Sequence, residues 1–178
     1  ITHLQTHLSH LFLSGERVYK LRKSARFDFL DFGTRAERAA DCLREVFDPD
    51  NCGFLLLDPS QGVLRHARSF HSRRAAETLA AIPLGQGIVG RVAASGVARL
   101  VEDTSREPDY LALDPRMRSE ICVPLKVSER VLGVFDAESA RPAAFAEADL
   151  GLLAILTSHV AGAVERLRAT AALRDSGD

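Results

Sequence analysis

Asp136, in the stretch "RVLGVFDAES", alternates with Leu132 and Val134. Strand periodicity therefore places a carboxylate in an otherwise apolar row. An unpaired buried carboxylate costs several kcal/mol, on the order of its desolvation penalty. Three remedies are open: Arg118, a ligand cation, or a twist of the strand end that returns Asp136 to water. Glu120, in "RSEICVPL", lies on the preceding strand. A two-residue turn at Ser128-Glu129 makes paired residue numbers sum to 257, which sets Asp136 against Ile121 and turns Glu120 to the opposite face. Glu120 joins an Asp136 site only if a bulge shifts the register or the strand curls at its end.

Other residues with chemical potential read more plainly. "GQGIVG" at 85–90 has the spacing of a dinucleotide fingerprint, but "RRAAETLAAIPL" ahead of it alternates poorly and contains Pro83. The acids Glu102 and Asp103 also come too early to meet a ribose, so no nucleotide is expected. His3, His7 and His10 have helical spacing for a metal, but the surrounding residues favour strand, which scatters them over both faces. No metal and no cofactor is expected. Cys42, Cys52 and Cys122 are odd in number without metal-type spacing, which fits reduced, packed thiols.

The elements that must position these residues are marked by turns and periodicity. "THLSHLFLSGERVYKLRK" reads as a hairpin around Ser14-Gly15-Glu16. Thr34 with Glu37 forms a capping box for a helix over 34–47, with Ala36, Ala39, Ala40, Leu43, Val46 and Phe47 on its apolar face. "CGFLLLD" and "VLRHARSF" form a second hairpin across "PSQG", followed by a short helical stretch over 73–81. "IVGRVAASG" reads as a helix ended by Gly96, and "VARLVED" as a strand. A polar loop spans 104–118, "SEICVPLKV" and "RVLGVFDAE" form a third hairpin, and a long helix closes the chain. Hairpins flanked by helices predict an α+β antiparallel sheet.

The 178 residues are 46% hydrophobic and 26% charged, with a net charge of −1, so neither a polyanion nor an anionic membrane is an expected partner. No membrane-spanning run or signal segment is read, and a cytoplasmic location is expected.

In order, "GQGIVGRVAASG", "RSEICVPL", "VLGVFDAES" and "FAEADLGLLAILTSHVAGAV" resemble a GAF domain over roughly residues 36–168. GAF domains are small-molecule-sensing or dimerising modules of signalling proteins. The resemblance implies a PAS-related central antiparallel sheet flanked by helices, with an architectural role for the glycines of the 85–90 motif. Residues 1–35 look like the start of an aminoglycoside-phosphotransferase-like kinase small lobe, with Lys20 in the phosphate-binding place, but the catalytic lobe is absent. The expected organisation is an appended hairpin at 1–33, a GAF domain at 34–170 and a disordered tail at 171–178.

One catalytic GAF subfamily, the free methionine-(R)-sulfoxide reductases, is similar around "SEICVPL" and "GVFDAES". There the resemblance places a cysteine six positions before Ser119, where this chain has Leu113. Glu120, Asp136 and Glu138 match acidic positions of that family. Bilin attachment lacks its Cys-His pair and cyclic-nucleotide binding its Asn and Lys, while His66, His71 and His159, the candidate axial ligands for haem, read as satisfied or solvated histidines. The expectation is a sensory or regulatory module without enzymatic activity, the alternatives being a reductase-like GAF enzyme or a fragment of a phosphotransferase-like fusion. Its ligand pocket is placed between the sheet, the 104–118 loop and the 87–95 helix, with Asp136 first, then Arg118, Tyr110 and Glu138, then Glu120. The stripe Leu153, Leu156, Val160, Val164 and Leu167 predicts a homodimer through the helices at 34–47 and 147–170.

Overall fold

The computed structural model describes residues 2–5, 9–14, 17–22, 43–45, 47–67, 70–72, 81–108, 110–111 and 114–175. At the N-terminus β1 (Thr2–Gln5), β2 (Ser9–Ser14) and β3 (Arg17–Arg22) form an antiparallel three-stranded sheet. Ser14 pairs with Arg17, the tight connection that Gly15-Glu16 predicts. The expected capping box at Thr34 and Glu37 and residues 73–80 of the short helix expected over 73–81 fall outside the described residues; residue 81 is not helical, and residues 43–45 and 47 are.

The second sheet carries the site. Its strands are β4 (Asn51–Asp58), β5 (Val63–His66), β6 (His71–Ser72), β7 (Ile82–Pro83), β8 (Arg99–Val101), β9 (Ser119–Val127) and β10 (Arg130–Ser139). They are arranged β7-β5-β4-β10-β9-β8, with β6 also on β4, and every pairing is antiparallel. The α+β architecture is thus as the sequence predicts. Alternation splits the apolar residues between two faces. One cluster holds Phe54, Ile121, Val123, Phe135 and Ala137 against Leu153, Ala161 and Val164 of the long helix α2 (Glu147–Asp175). The other holds Leu55, Cys122 and Val134 against Ile88, Val89 and Val92 of α1 (Gly87–Ser95). Burying a side chain of this size is worth about 1.5–3 kcal/mol, so the two layers hold the sheet between them.

The "GQGIVG" motif follows the antiparallel strand β7 and starts α1. Gly87 has φ +63°, and a Cβ on Gly90 would lie 2.4 Å from the Pro83 carbonyl oxygen. The helix can approach β7 only because that Cβ is missing, and Gly96 at φ 67° ends it as expected.

Of the α2 stripe, Leu153 and Val164 are buried in the chain itself. Leu156 and Val160 are partly buried against the same cluster. The side chain of Leu167 is outside the described residues. By length and composition the Glu147–Arg166 stretch, with mean hydropathy 1.3, would suffice to cross a bilayer, contrary to the expectation from apolar runs alone. Its buried residues pack on the sheet.

Candidate functional site

Between Val131 and Gly133 the β9–β10 ladder changes register. Val131 pairs with Lys126, as the two-residue turn requires, but Gly133 pairs with Leu125. Leu132 is the extra residue, and from there on every pairing is shifted by one. Asp136 consequently faces Cys122 rather than Ile121, and Glu138 faces Glu120. The bulge corrects the expected row as well: Leu132 packs in the α2-side cluster with Phe135, whereas Val134 belongs to the α1 side. On the other flank of β10, Asp136 pairs with Gly53 and Glu138 with Asn51. Glu120, Asp136 and Glu138 therefore converge on the face that α1 covers.

All three acids are buried, with relative exposures of 2%, 5% and 5%. Glu138 is the best satisfied: Asn51 Nδ2 donates to its Oε2 at 2.9 Å, and Tyr110 Oη donates to its Oε1 at 2.9 Å. Glu120 Oε1 and Asp136 Oδ1 are enclosed and have no hydrogen-bond partner among the described residues. Burial raises the pKa of Glu120 well above the ordinary carboxylate range, and the charges of Asp136 and Glu138 raise it further. Burial and then Glu138 push Asp136 the same way, against hydrogen bonds from Glu120 and the Cys122 thiol. Glu138 is raised by burial and held back by its bonds from Asn51 and Tyr110. Such shifts keep protons on the cluster, because three like charges in a low-dielectric pocket cannot all ionise cheaply.

These acids line a cavity of about 20 Å³ together with Tyr110, His66, Phe70, Leu55 and the first turn of α1. Gly53 makes room for one wall, since a Cβ there would lie 2.4 Å from Phe70 Cα. Tyr110 and Leu111 make another, with Leu111 close to Gly87. Tyr110, Glu120, Asp136 and Glu138 are thus brought together where the pocket was expected. Arg118 is placed elsewhere: its guanidinium donates to Asp103 Oδ1 at 3.0 Å, and it does not line the cavity. The Ser105 hydroxyl and Arg118 hold the Asp103 carboxyl at about 2. Arg118 is therefore not the partner of Asp136, whose burial favours its protonated form.

His66, Phe70, Asn51 and Leu55 are site residues that the sequence reasoning missed. The signal was available for His66, because a four-residue connection at 59–62 sets it opposite Leu55. Its neutral imidazole is favoured by burial, which lowers its pKa to about 4. Cys122 is buried, and burial, Asp136 and Glu120 raise its thiol well above the usual range. Leu113 lies outside the described residues, and no metal-ligating cluster occurs among the described residues.

Residues 30–165 match the GAF domain family model. The chain belongs to the GAF domain family. It is 31% identical over 103 residues to Protein YtsP of Bacillus subtilis, covering 58% of this GAF chain and 55% of that protein. It is 30% identical over 106 residues to the free methionine-R-sulfoxide reductase of Escherichia coli, covering 60% and 61% of the two chains. The chain thus spans about half to three fifths of the length of these curated relatives. Among solved structures, the free methionine-R-sulfoxide reductase from Neisseria meningitidis in complex with its substrate superposes with a TM-score of 0.73 at 32% identity, covering 80% and 83%. The likeness to reductases overturns the expectation, drawn from Leu113, that this GAF protein has no enzymatic activity: its relatives include enzymes. The kinase-lobe likeness of residues 1–35 is not borne out, since the family match begins at residue 30 and these relatives are not kinases.

Proposed function

We propose that this GAF protein reduces a free amino-acid sulfoxide of the methionine-R-sulfoxide type. The observation that carries the reading is the cluster of three buried carboxyl groups on one small cavity, each pushed by burial toward its protonated form. Converting a sulfoxide to a thioether consumes two protons and two electrons and releases water. The S–O bond breaks more readily as its oxygen is protonated. A carboxyl group held neutral at working pH is the general acid such a step requires. A neutral acid also donates a hydrogen bond to the strongly accepting sulfoxide oxygen, a role that an ionised one lacks. Similarity to reductases of the same family adds independent support.

Leu113 supplies no sulfur at the position where the reductase resemblance places one. Cys122 is the thiol that the β9–β10 register sets beside Asp136. Loss of free L-methionine-R-sulfoxide in the presence of a small dithiol is the direct assay. Asp136→Asn and Glu120→Gln should each reduce turnover by about 10²-fold or more, and Cys122→Ser reports whether the chain's own sulfur takes part. A wild-type protein that neither binds nor reduces the sulfoxide overturns the reading.

A further inference from the structure

We propose that His66 donates the hydrogen bond by which this site tells a sulfoxide from the thioether it becomes, an assignment that rests on the reductase reading above. The β4–β5 register sets His66 opposite Leu55, on the same face of the sheet as the acid cluster. His66, Glu120, Asp136 and Glu138 line one cavity of about 20 Å³, room for about one water-sized atom. The imidazole and the carboxyl groups therefore border the same small space from neighbouring strands. Phe70 meets the ring edge-on, with centroids 4.5 Å apart and planes at 81°, which restricts its orientation.

His66 Nδ1 is enclosed and has no hydrogen-bond partner among the described residues. Of the other residues that line the cavity, Leu55, Phe70, Ile82, Ile88 and Val89 offer only apolar side chains, and the Gln86 amide makes no hydrogen bond to Nδ1. A buried polar nitrogen without a partner is rare in a folded protein and is normally met by a water or a ligand. With its proton on Nδ1, the neutral ring is a donor for an acceptor that the described residues do not provide. A sulfoxide oxygen is a strong acceptor of the right size. A thioether sulfur is a weak one, so the product loses this contact when the oxygen leaves as water. His66 thus favours substrate over product without taking part in proton or electron transfer.

Calorimetric titration of the full chain with free L-methionine-R-sulfoxide and with L-methionine provides the test. Wild type should prefer the sulfoxide. His66→Phe should shrink that preference by about tenfold while changing methionine affinity less than twofold, and His66→Gln, which keeps an N–H donor, should restore part of it. His66→Leu replaces the Phe variant if the larger ring fails to fold. Equal preference in wild type and in the apolar variant overturns the assignment of His66 alone. A wild type that binds neither compound overturns the reductase reading and this assignment with it.

Discussion

Glu138 on β10 stands directly opposite Glu120 on β9, a pairing of two acids that the one-residue bulge at Leu132 creates. Like charges in directly opposed positions destabilise a sheet, so the pairing is tolerable only while protons stay on the cluster. The folded-state pKa values are raised, so the folded protein holds these protons more tightly than the unfolded chain does. The associated stability is fully present below the ordinary carboxyl values of 3.8 and 4.5 and is lost as pH rises through the folded-state values. Asp136→Asn removes one ionisable member and should therefore stabilise the protein at pH 8 relative to pH 5. Thermal melts of both proteins at the two pH values check this, and a variant whose deficit is the same at both would refute it.

Tyr110→Phe deletes the 2.9 Å bond to Glu138 while leaving the ring in place. The loss should cost about 1–3 kcal/mol, since Glu138 Oε1 is left without its donor. Urea denaturation measures the difference directly. No change in midpoint would mean that water replaces the hydroxyl at no cost.

Asn51→Ala removes the partner of the other Glu138 oxygen. With less opposing its burial, the Glu138 pKa should rise further, and the alkaline limb of any turnover profile should move upward. An unmoved limb would show that Glu138 does not set it.

Gly90→Ala should be more damaging than Gly87→Ala. The added Cβ at position 90 meets the backbone oxygen of Pro83 at 2.4 Å, whereas at position 87 it meets the Leu111 side chain at 3.0 Å and a left-handed backbone. Adopting φ +63° with a side chain costs about 1–2 kcal/mol, while the contact at 90 forces α1 away from β7. Melting temperatures of the two variants give the order.

Periodicity and turn chemistry made the hairpins, α1 with its Gly96 stop, and the long C-terminal helix legible in the sequence. Asp136 was legible because a charge in an apolar row demands an explanation. Glu120 was legible only conditionally, since a bulge is not written in residue types: "RVLGVF" reads equally well as a regular strand. Arg118 failed as a partner because its neighbour in space, Asp103, lies 15 residues away across a loop whose path the sequence does not reveal. His66 was missed because its importance depends on which acids the next strands bring to it. Leu113 pointed away from enzymatic activity, because one side-chain type at one position says nothing of the three acids that β9 and β10 bring together.

The 20 Å³ cavity has a kinetic corollary. Sites for small molecules span about 300–1,000 Å³, so on the reductase reading a free amino acid is expected to enter from a population in which Tyr110 and Leu111 have moved aside. Apparent affinity is then weakened by the reciprocal of that population, about 100-fold for a state occupied 1% of the time. Observed association rates should level off at high ligand concentration, at the rate of opening. Tyr110→Phe, which frees the segment from Glu138, should raise that plateau even as it lowers global stability, so the same hydroxyl that steadies the fold also slows the ligand's arrival.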